Sequence, residues 1–180
     1  MQTEIIIAGF GGQGVLFGGQ LMAYAGMDEG KYVTWIPAYG PEMRGGTANC
    51  TTIISDEEIG SPLVQYPTAI IAMNRPSLDK YEDKVKPGGL LVVNSSMLDR
   101  AVTRKDIRVV PVDAGKIAEK IGDRRMTNVV LLGALLVNLP VLPMPAIENA
   151  LKVHLPTRHQ RLLSMNYEAL SEGAKHKLNE

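Results

Sequence analysis

A glycine-rich turn between a β-branched strand and a helical segment is the feature that most constrains this chain. Residues 4–8 have the sequence Glu-Ile-Ile-Ile-Ala, and residues 15–27 are mostly small or apolar. The turn between them consists of Gly9, Phe10, Gly11, Gly12, Gln13 and Gly14. Glycines at this spacing permit a tight turn and let backbone N–H groups approach an anion at a helix N-terminus. The pattern predicts an α/β fold whose first turn binds a phosphate, or else serves only close strand–helix packing.

Strand and helix patterns alternate along the rest of the chain. Further strands are predicted over residues 31–37, 47–54, 68–73, 90–94 and 107–112. A short helix is predicted to begin at Pro76, and others over residues 114–121, 128–139, 146–154 and 159–178. Apolar runs such as residues 90–93 are typical of strands buried on both faces of a parallel sheet. The 180 residues therefore predict one α/β domain over residues 1–180, Rossmann-like and three-layered, with a mostly parallel sheet and C-terminal helices.

Composition excludes several kinds of site. Nineteen basic side chains balance nineteen acidic ones, so the chain lacks the positive charge of a dedicated nucleic-acid-binding protein. The single cysteine, Cys50, excludes a disulfide framework, a cysteine-based zinc site and a self-contained iron–sulfur cluster. We expect a cytoplasmic protein without a membrane segment. No basic leader precedes the first strand, and the longest apolar stretch is shorter than the roughly 20 residues of a membrane span.

The turn at residues 9–14 does not predict a simple NAD-binding site. Such sites place an acidic residue at the end of the second strand, where it binds the ribose hydroxyls. Here the second predicted strand ends at Pro37-Ala38, and Asp28 and Glu29 precede it. An NAD-dependent dehydrogenase is therefore disfavoured.

A second loop follows the second strand and combines aromatic, acidic and basic side chains with glycines. It contains Tyr39, Gly40, Pro41, Glu42, Met43, Arg44, Gly45 and Gly46. We expect it at the same sheet edge as the first turn, where ligands bind in open parallel sheets. Arg44 is predicted to clamp a phosphate or a partner carboxylate, or else to form a modest surface ion pair with Glu42. Asn74 and Arg75 follow the fourth strand and are further predicted rim residues.

Two features carry two interpretations each, and a third, Gly133, carries one. Thr127-Asn128 is predicted to cap a helix N-terminus, with a ligand or interface contact as the alternative. Gly133, inside that helix, indicates close packing of another backbone. The last helix carries an apolar stripe that either docks on this domain or contacts another subunit.

Together these segments resemble the gamma subunit of the 2-oxoacid:ferredoxin oxidoreductases. The resemblance is carried by residues 9–14, by Tyr-Gly-Pro-Glu-Met-Arg-Gly-Gly at residues 39–46, and by Thr127-Asn128 leading into Leu132-Gly133-Ala134. Asn166, Ala169 and Gly173 in the last helix are also similar to that family. The sequence of the second loop is more similar to the 2-oxoglutarate and ketoisovalerate members of the family than to the pyruvate members.

The resemblance implies one component of a larger enzyme. The family converts a 2-oxoacid and coenzyme A (CoA) to acyl-CoA and CO2 and reduces ferredoxin. Alpha and beta subunits would hold thiamine diphosphate and Mg, and a beta or ferredoxin-like delta subunit would hold iron–sulfur clusters. In this chain, residues 9–14 would line the CoA, and residues 39–46 would face neighbouring subunits. The chain would carry no catalytic residue or metal, be inactive alone and self-associate when isolated.

Two alternatives to this assignment stay open. One is the similar small subunit of the indolepyruvate oxidoreductases. The other is a free-standing regulatory module that binds CoA or an adenine nucleotide.

Overall fold

The computed structural model describes residues 1–40 and 46–178, which form one six-stranded sheet with helices on both sides. The strands are β1 (Gln2–Phe10), β2 (Tyr32–Tyr39), β3 (Thr47–Ser55), β4 (Ala69–Ala72), β5 (Leu90–Asn94) and β6 (Arg108–Val112). The helices are α1 (Val15–Asp28), α2 (Arg75–Tyr81), α3 (Ala114–Ile121), α4 (Thr127–Asn138), α5 (Met144–His154) and α6 (Leu163–Ala174).

The strand order is β2-β3-β1-β4-β5-β6. The β1, β4, β5 and β6 strands are parallel, whereas β3 runs antiparallel to both of its neighbours. Five of the six strands therefore point the same way, which confirms the predicted mostly parallel sheet. Because β3 is reversed, β1 and β2 end at the same edge of the sheet. The chain leaves β1 toward one side and β4 lies on the other, so the end of β1 is a topological switch point.

The core lies on both faces of the sheet, as the alternation of side chains in β1 requires. Ile5 and Ile7 face the larger cluster, which includes residues of α1, α3, α4, α5 and α6. Ile6 and Ala8 face a smaller cluster with Leu78 and Tyr81 of α2. The three-layer arrangement follows from strands that are apolar on both faces.

The α4 and α6 helices pack with their backbones in direct contact. A Cβ atom at Gly133 would lie 2.2 Å from the carbonyl oxygen of Leu170, and one at Gly173 would lie 1.9 Å from that of Val130. Only glycine fits at either position. This contact confirms the predicted close packing at Gly133 and the predicted docking of the last helix on this domain.

The predicted helix over residues 159–178 is too long at both ends. A 3-10 helix occupies Thr157–Leu162, directly after Pro156, and α6 extends only over Leu163–Ala174. The chain after α6 is held by Asn138, whose Oδ1 accepts a hydrogen bond from the Leu178 amide at 2.8 Å. Within the two described ranges, no helix has both the length and the apolarity that a membrane crossing needs.

A buried carboxylate fixes the loop that covers the smaller core cluster. Glu82 is 3% exposed, and its carboxylate accepts hydrogen bonds from the Thr103 hydroxyl at 2.7 Å and from Arg100 at 2.7 Å. The backbone amides of Thr103 and Arg104 also donate to it. Burial opposes the charge on Glu82, but these hydrogen bonds outweigh it and lower the pKa of the carboxyl to about 2.

Candidate functional site

The turn between β1 and α1 is built from glycines in left-handed conformations. Gly12 has φ 95° and Gly14 has φ 76°, and the Gln13 amide donates to the Phe10 carbonyl at 3.1 Å. Gly14 is the N-cap of α1 and provides no side chain, and the first turn of α1 contains no acidic residue. The helix N-terminus therefore offers its positive end to this turn without a side-chain cap in the part of the chain described.

Gln13 ties the glycine turn to the end of β4. Its Oε1 accepts hydrogen bonds from the Phe10 amide at 2.6 Å and from Asn74 Nδ2 at 3.0 Å. Asn74 is 1% exposed, and its Oδ1 caps α2 by accepting from the Ser77 amide. One side chain thus joins the loops that follow two neighbouring parallel strands. Asn74, predicted as a rim residue, lies against the glycine turn.

The second loop adjoins the first turn, as its place after β2 predicts. The Gly11 amide donates to the Gly46 carbonyl at 2.8 Å, and the Gly40 amide donates to the Thr47 carbonyl at 2.7 Å. Tyr39 is 70% exposed at the end of β2. The predicted site residues Pro41, Glu42, Arg44 and Gly45 lie outside the described residues.

Arg75 lies on the surface beside the end of β4, where its guanidinium bonds to Asp79 and Asp99. These carboxylates already engage the side chain. Its role as a rim residue remains a prediction.

The predicted N-cap at Thr127-Asn128 is wrong. A 3-10 helix over Arg124–Met126 runs directly into α4, so Thr127 is already helical and its hydroxyl donates to the Arg124 carbonyl at 2.7 Å. Asn128 instead reaches across to the glycine turn, where its Nδ2 donates to the Gly14 carbonyl at 3.0 Å. Its buried Oδ1 has no hydrogen-bond partner among residues 1–40 and 46–178. The alternative, a ligand or interface contact of this pair, stays a prediction.

A cleft of about 620 Å³ opens beside the glycine turn at the ends of β5 and β6. It is lined by Gly12, Gln13, Met73, Asn94, Ser95, Ser96, Met97, Asp113, Gly115, Lys116, Glu119, Arg124, Arg125 and Thr127. Asp113, Lys116, Arg124 and Arg125 are not among the site residues predicted from the sequence. Asp113 could have been predicted from the sequence, because an acidic residue directly after a parallel strand lies at the ligand-binding edge of the sheet.

The charged groups of the cleft are paired with one another. Lys116 binds Asp113 at 2.9 Å, Arg124 binds Glu119, and Arg125 binds Asp123 at 2.6 Å. Hydrogen bonds from Ser96 and Lys116 lower the pKa of the Asp113 carboxyl, and the same pairing raises the pKa of Lys116. Three cationic and two acidic side chains line the cleft itself, and the third cation is paired with Asp123, which is not part of the lining, so these charges balance.

A second hollow of about 310 Å³ lies on the other side of the glycine turn. It shares Gly12 and Arg125 with the larger cleft and adds Gly14, Asn128 and apolar side chains of α1, α4 and the 3-10 helix before α6. The glycine turn therefore separates a polar cleft from a more apolar one.

The described residues do not fit a resident metal or iron–sulfur cluster. Cys50 is fully buried on β3, and burial raises the pKa of its thiol to about 11. No group of three or more His, Cys, Asp or Glu side chains with metal-binding geometry occurs within the described ranges. Buried Cys50 confirms the interpretation of this residue as part of the core.

A glycine turn at the switch point of a mostly parallel, helix-covered sheet defines a Rossmann-like α/β domain. Residues 4–176 match the protein family described as pyruvate ferredoxin/flavodoxin oxidoreductase. The chain belongs to this family.

Two kinds of relative match the chain over nearly its whole length. It is 38% identical over 175 residues to ketoisovalerate oxidoreductase subunit VorA of Methanothermobacter thermautotrophicus, covering 97% of this chain and 36% of VorA. It is 36% identical over 186 residues to 2-oxoglutarate synthase subunit KorC of Methanothermobacter marburgensis, covering 97% of this chain and 100% of KorC. The chain thus spans about a third of VorA but all of KorC.

Solved structures share the fold. The gamma subunit of a keto/oxoacid ferredoxin oxidoreductase from Geobacter sulfurreducens superposes with a TM-score of 0.82, at 28% identity and 97% coverage of both chains. A 2-oxoglutarate:ferredoxin oxidoreductase from Magnetococcus marinus, solved with 2-oxoglutarate, coenzyme A and succinyl-CoA bound, gives a TM-score of 0.86 at 23% identity. That match covers 97% of this chain and 30% of the Magnetococcus chain, and it shows a shared fold only.

Proposed function

We propose that this chain is the single-domain gamma subunit of a 2-oxoacid:ferredoxin oxidoreductase. The complete enzyme converts a 2-oxoacid and coenzyme A to acyl-CoA and CO2 and reduces ferredoxin. This chain contributes the domain on the CoA side of the active site and a surface for neighbouring subunits. Family membership and the full-length match to KorC support the assignment.

The observation that carries the CoA role is the uncapped N-terminus of α1 at the glycine turn. The α1 helix begins at this turn with no side-chain cap among the residues described, whereas α4 continues a 3-10 helix that Asp123 caps. Asn128 of α4 contacts the turn through its bond to the Gly14 carbonyl. Helix N-termini attract phosphate through their free N–H groups and their dipoles. The CoA diphosphate is the anion that we assign to residues 9–14.

We assign the second loop to the subunit interface and the rim of the active-site cleft. Its described ends, Tyr39-Gly40 and Gly46, adjoin the glycine turn through the bond between Gly11 and Gly46. In this proposal Pro41, Glu42, Arg44 and Gly45 belong to this interface or rim. Asn74 and Arg75 complete the same rim.

The remaining cofactors belong to partner subunits in this proposal. Thiamine diphosphate with Mg lies in the alpha and beta subunits, and iron–sulfur clusters lie in a beta or ferredoxin-like delta subunit. The buried thiol of Cys50 supports this division, since a cluster requires several accessible thiolates. Ferredoxin is the electron acceptor of the assembled enzyme.

The proposed substrate is 2-oxoglutarate, with branched-chain 2-oxoacids next. The named KorC and VorA relatives, a 2-oxoglutarate synthase subunit and a ketoisovalerate oxidoreductase subunit, support these two classes. Selection between them depends on the alpha and beta subunits.

The test is anaerobic affinity purification of the tagged chain from its native cells. The eluate is assayed for CoA-dependent reduction of a viologen dye with 2-oxoglutarate, ketoisovalerate, pyruvate and indolepyruvate. We expect larger chains to copurify and 2-oxoglutarate to give the highest rate. Activity restricted to indolepyruvate would assign the chain to the arylpyruvate enzymes. A lone, inactive chain that binds CoA would indicate a regulatory module instead.

A further inference from the structure

The outer edge of β2 is open within the described part of the chain. β2 is the first strand of the sheet, and β3 is its only strand partner among the residues described. The Gly40 amide donates to the Thr47 carbonyl, so the even-numbered residues of β2 bond to β3 and the odd-numbered ones direct their N–H and C=O groups outward. Val33 and Trp35 therefore present backbone groups at this edge to which a further strand can bond.

The β2 edge lacks the charges that protect the other edge of the sheet. β2 has eight residues, none of them charged, whereas β6 has five, begins at Arg108 and follows Lys105 and Asp106. Lys31, directly before β2, is already paired with Asp56. Near a two-fold axis each charge meets its own copy, and like charges directly opposite each other are destabilising. An uncharged edge is therefore electrostatically complementary to a second copy of itself.

Apolar side chains accompany this edge. Val33 and Trp35 pack against glycines of α1, so the even-numbered side chains of β2 lie on the opposite face of the sheet. On that face Tyr32 is 49% exposed and Ile36 is 41% exposed. A second strand beside β2 would bury both side chains, and this burial would add to the stabilisation from the backbone hydrogen bonds.

Pro37 selects one register for pairing β2 with its own copy. A proline cannot lie opposite a carbonyl oxygen in a hydrogen-bonded pair, because its ring carbon occupies the place of the N–H. Two-fold axes through Trp35, Ile36 or Pro37 itself would set Pro37 in such a pair. A two-fold axis through Thr34 leaves Pro37 outside the paired stretch of β2.

The register about Thr34 gives the outward backbone groups their partners. Val33 of each copy exchanges both of its hydrogen bonds with Trp35 of the other copy. Tyr32 lies opposite Ile36 of the other copy, and an aromatic residue against a β-branched one is a favourable cross-strand pair. The exposed apolar side chains of this stretch therefore cover one another.

We infer that two copies of the isolated chain associate through β2. Their β2 strands pair antiparallel about a two-fold axis through Thr34, which joins the two six-stranded sheets into one continuous sheet. The inference concerns the chain without its neighbouring subunits and is independent of the proposed function. It assigns the β2 edge to a second copy of this chain.

Single introduced cysteines test the register. In Thr34→Cys the two cysteines face each other with Cα atoms about 4.5 Å apart, so mild oxidation links the copies as a disulfide dimer. Ile36→Cys is the matched control, because the two copies of this position lie about 13 Å apart along the strands and do not link. Oxidation of a mixture of Ile36→Cys and Tyr32→Cys links the two variants to each other. The buried thiol of Cys50 adds no background.

Sedimentation and hydrogen exchange test the contact without introduced cysteines. We expect the unaltered chain to form dimers, and Ile36→Lys to weaken their association roughly tenfold or more, because it places a charge against Tyr32 of the other copy. Val153→Lys on α5 is the control and leaves the association unchanged. In the unaltered chain, the Val33 and Trp35 amides exchange more slowly as the protein concentration rises. This last measurement needs no variant, so it decides the question if circular dichroism shows that a variant does not fold.

Three outcomes would overturn the inference. They are a monomer at high concentration, a link through Ile36→Cys as efficient as that through Thr34→Cys, and an association that Ile36→Lys leaves unchanged. Protection of the Val33 and Trp35 amides in the native complex alone would also overturn it and would assign the β2 edge to another subunit. The gamma-subunit assignment stands in each of these cases.

Discussion

Asn74 Nδ2 donates a hydrogen bond to Gln13 Oε1 at 3.0 Å, although the two residues are 61 positions apart. The same oxygen accepts the Phe10 amide, and Asn74 Oδ1 caps α2. The conformation of the glycine turn is therefore determined jointly by β1 and β4. The glycines permit the conformation of the turn, and the hydrogen bond from Asn74, directly after β4, holds the turn in it.

Gln13→Ala removes both hydrogen bonds from this contact. It leaves the Phe10 amide and the buried Asn74 amide without their acceptor, so we expect the free energy of unfolding to fall by about 2 kcal/mol. CoA affinity falls as well, because the turn loses its fixed shape. Urea unfolding and calorimetry measure the two effects. The control is Gln65→Ala at an exposed position, and an unchanged stability in Gln13→Ala would contradict the argument.

Gly14→Ala and Gly12→Ala separate backbone strain from steric clash. Both glycines have positive φ, which costs a non-glycine residue about 1–2 kcal/mol. A Cβ at Gly14 would lie 2.4 Å from Asn128 Nδ2, whereas a Cβ at Gly12 would meet nothing within 4 Å. We expect Gly14→Ala to be the more destabilising by about 1–2 kcal/mol and to abolish CoA binding. Equal unfolding midpoints for the two variants would refute the role of Asn128 at this contact.

Gly173→Ala is expected to be among the most destabilising single changes in the chain. The added methyl group would overlap the Val130 carbonyl, so α4 and α6 must separate, at a cost of about 3 kcal/mol or more. Gly60→Ala is the matched control, since a Cβ there meets nothing within 4 Å. Thermal unfolding compares the two, and similar melting temperatures would show that the helices do not pack this closely.

The Glu82 carboxylate makes stability depend on acid pH. Its pKa falls from an ordinary value of 4.5 to about 2 in the folded protein. The stabilisation that the ionised carboxylate provides is therefore complete at pH values above its pKa in the unfolded chain. It is lost as the pH falls from about 5 toward 2. We expect this contribution to the free energy of unfolding to be about 2 kcal/mol. It is smaller than the full pKa shift implies, because the Arg100 partner is partly exposed and solvent screens the pair.

Glu82→Gln tests this origin by removing the titrating group. Its unfolding free energy at pH 7 is lower than that of the unaltered chain, and the difference shrinks toward pH 2. Glu58→Gln, at an exposed position, serves as the control and follows the unaltered profile. A parallel displacement of the Glu82→Gln curve at every pH would show that the charge is not responsible.

The isolated chain is expected to self-associate. Leu63 is 86% exposed, Tyr39 70% and Tyr66 60%, and in this prediction these side chains form part of the contact between copies of the chain. Size-exclusion chromatography with light scattering gives the mass at increasing concentration. Leu63→Lys reduces the association, whereas Val153→Lys, at a 61% exposed position on α5, leaves it unchanged. A clean monomer at high concentration would contradict the prediction.

The sheet and most helices could be predicted from local patterns, because alternation and apolar runs report burial directly. The β5 and α3 bounds coincide with the predicted ones. The reversal of β3 could not be predicted, since its Thr- and Ile-rich sequence fits either direction. The glycine turn could be predicted because its residues are consecutive in the sequence.

The polar cleft was not visible, because its residues come together only through strand order. Lys116 and Arg124 follow β6 in the chain yet face Gly12, which follows β1. The cap predicted at Asn128 is wrong for a related reason: its local sequence favours a cap, but its side chain donates a hydrogen bond to Gly14, 114 residues away. Local propensity carries no information about contacts at that separation.

Burial of Cys50 has a practical consequence for experiments on this chain. The only thiol in the sequence is fully buried and stays protonated near neutral pH, because its pKa is about 11. A protonated, inaccessible thiol does not react with maleimides or methanethiosulfonates under native conditions. A cysteine introduced on the surface would therefore accept a spin or fluorescent label without background and without replacing Cys50.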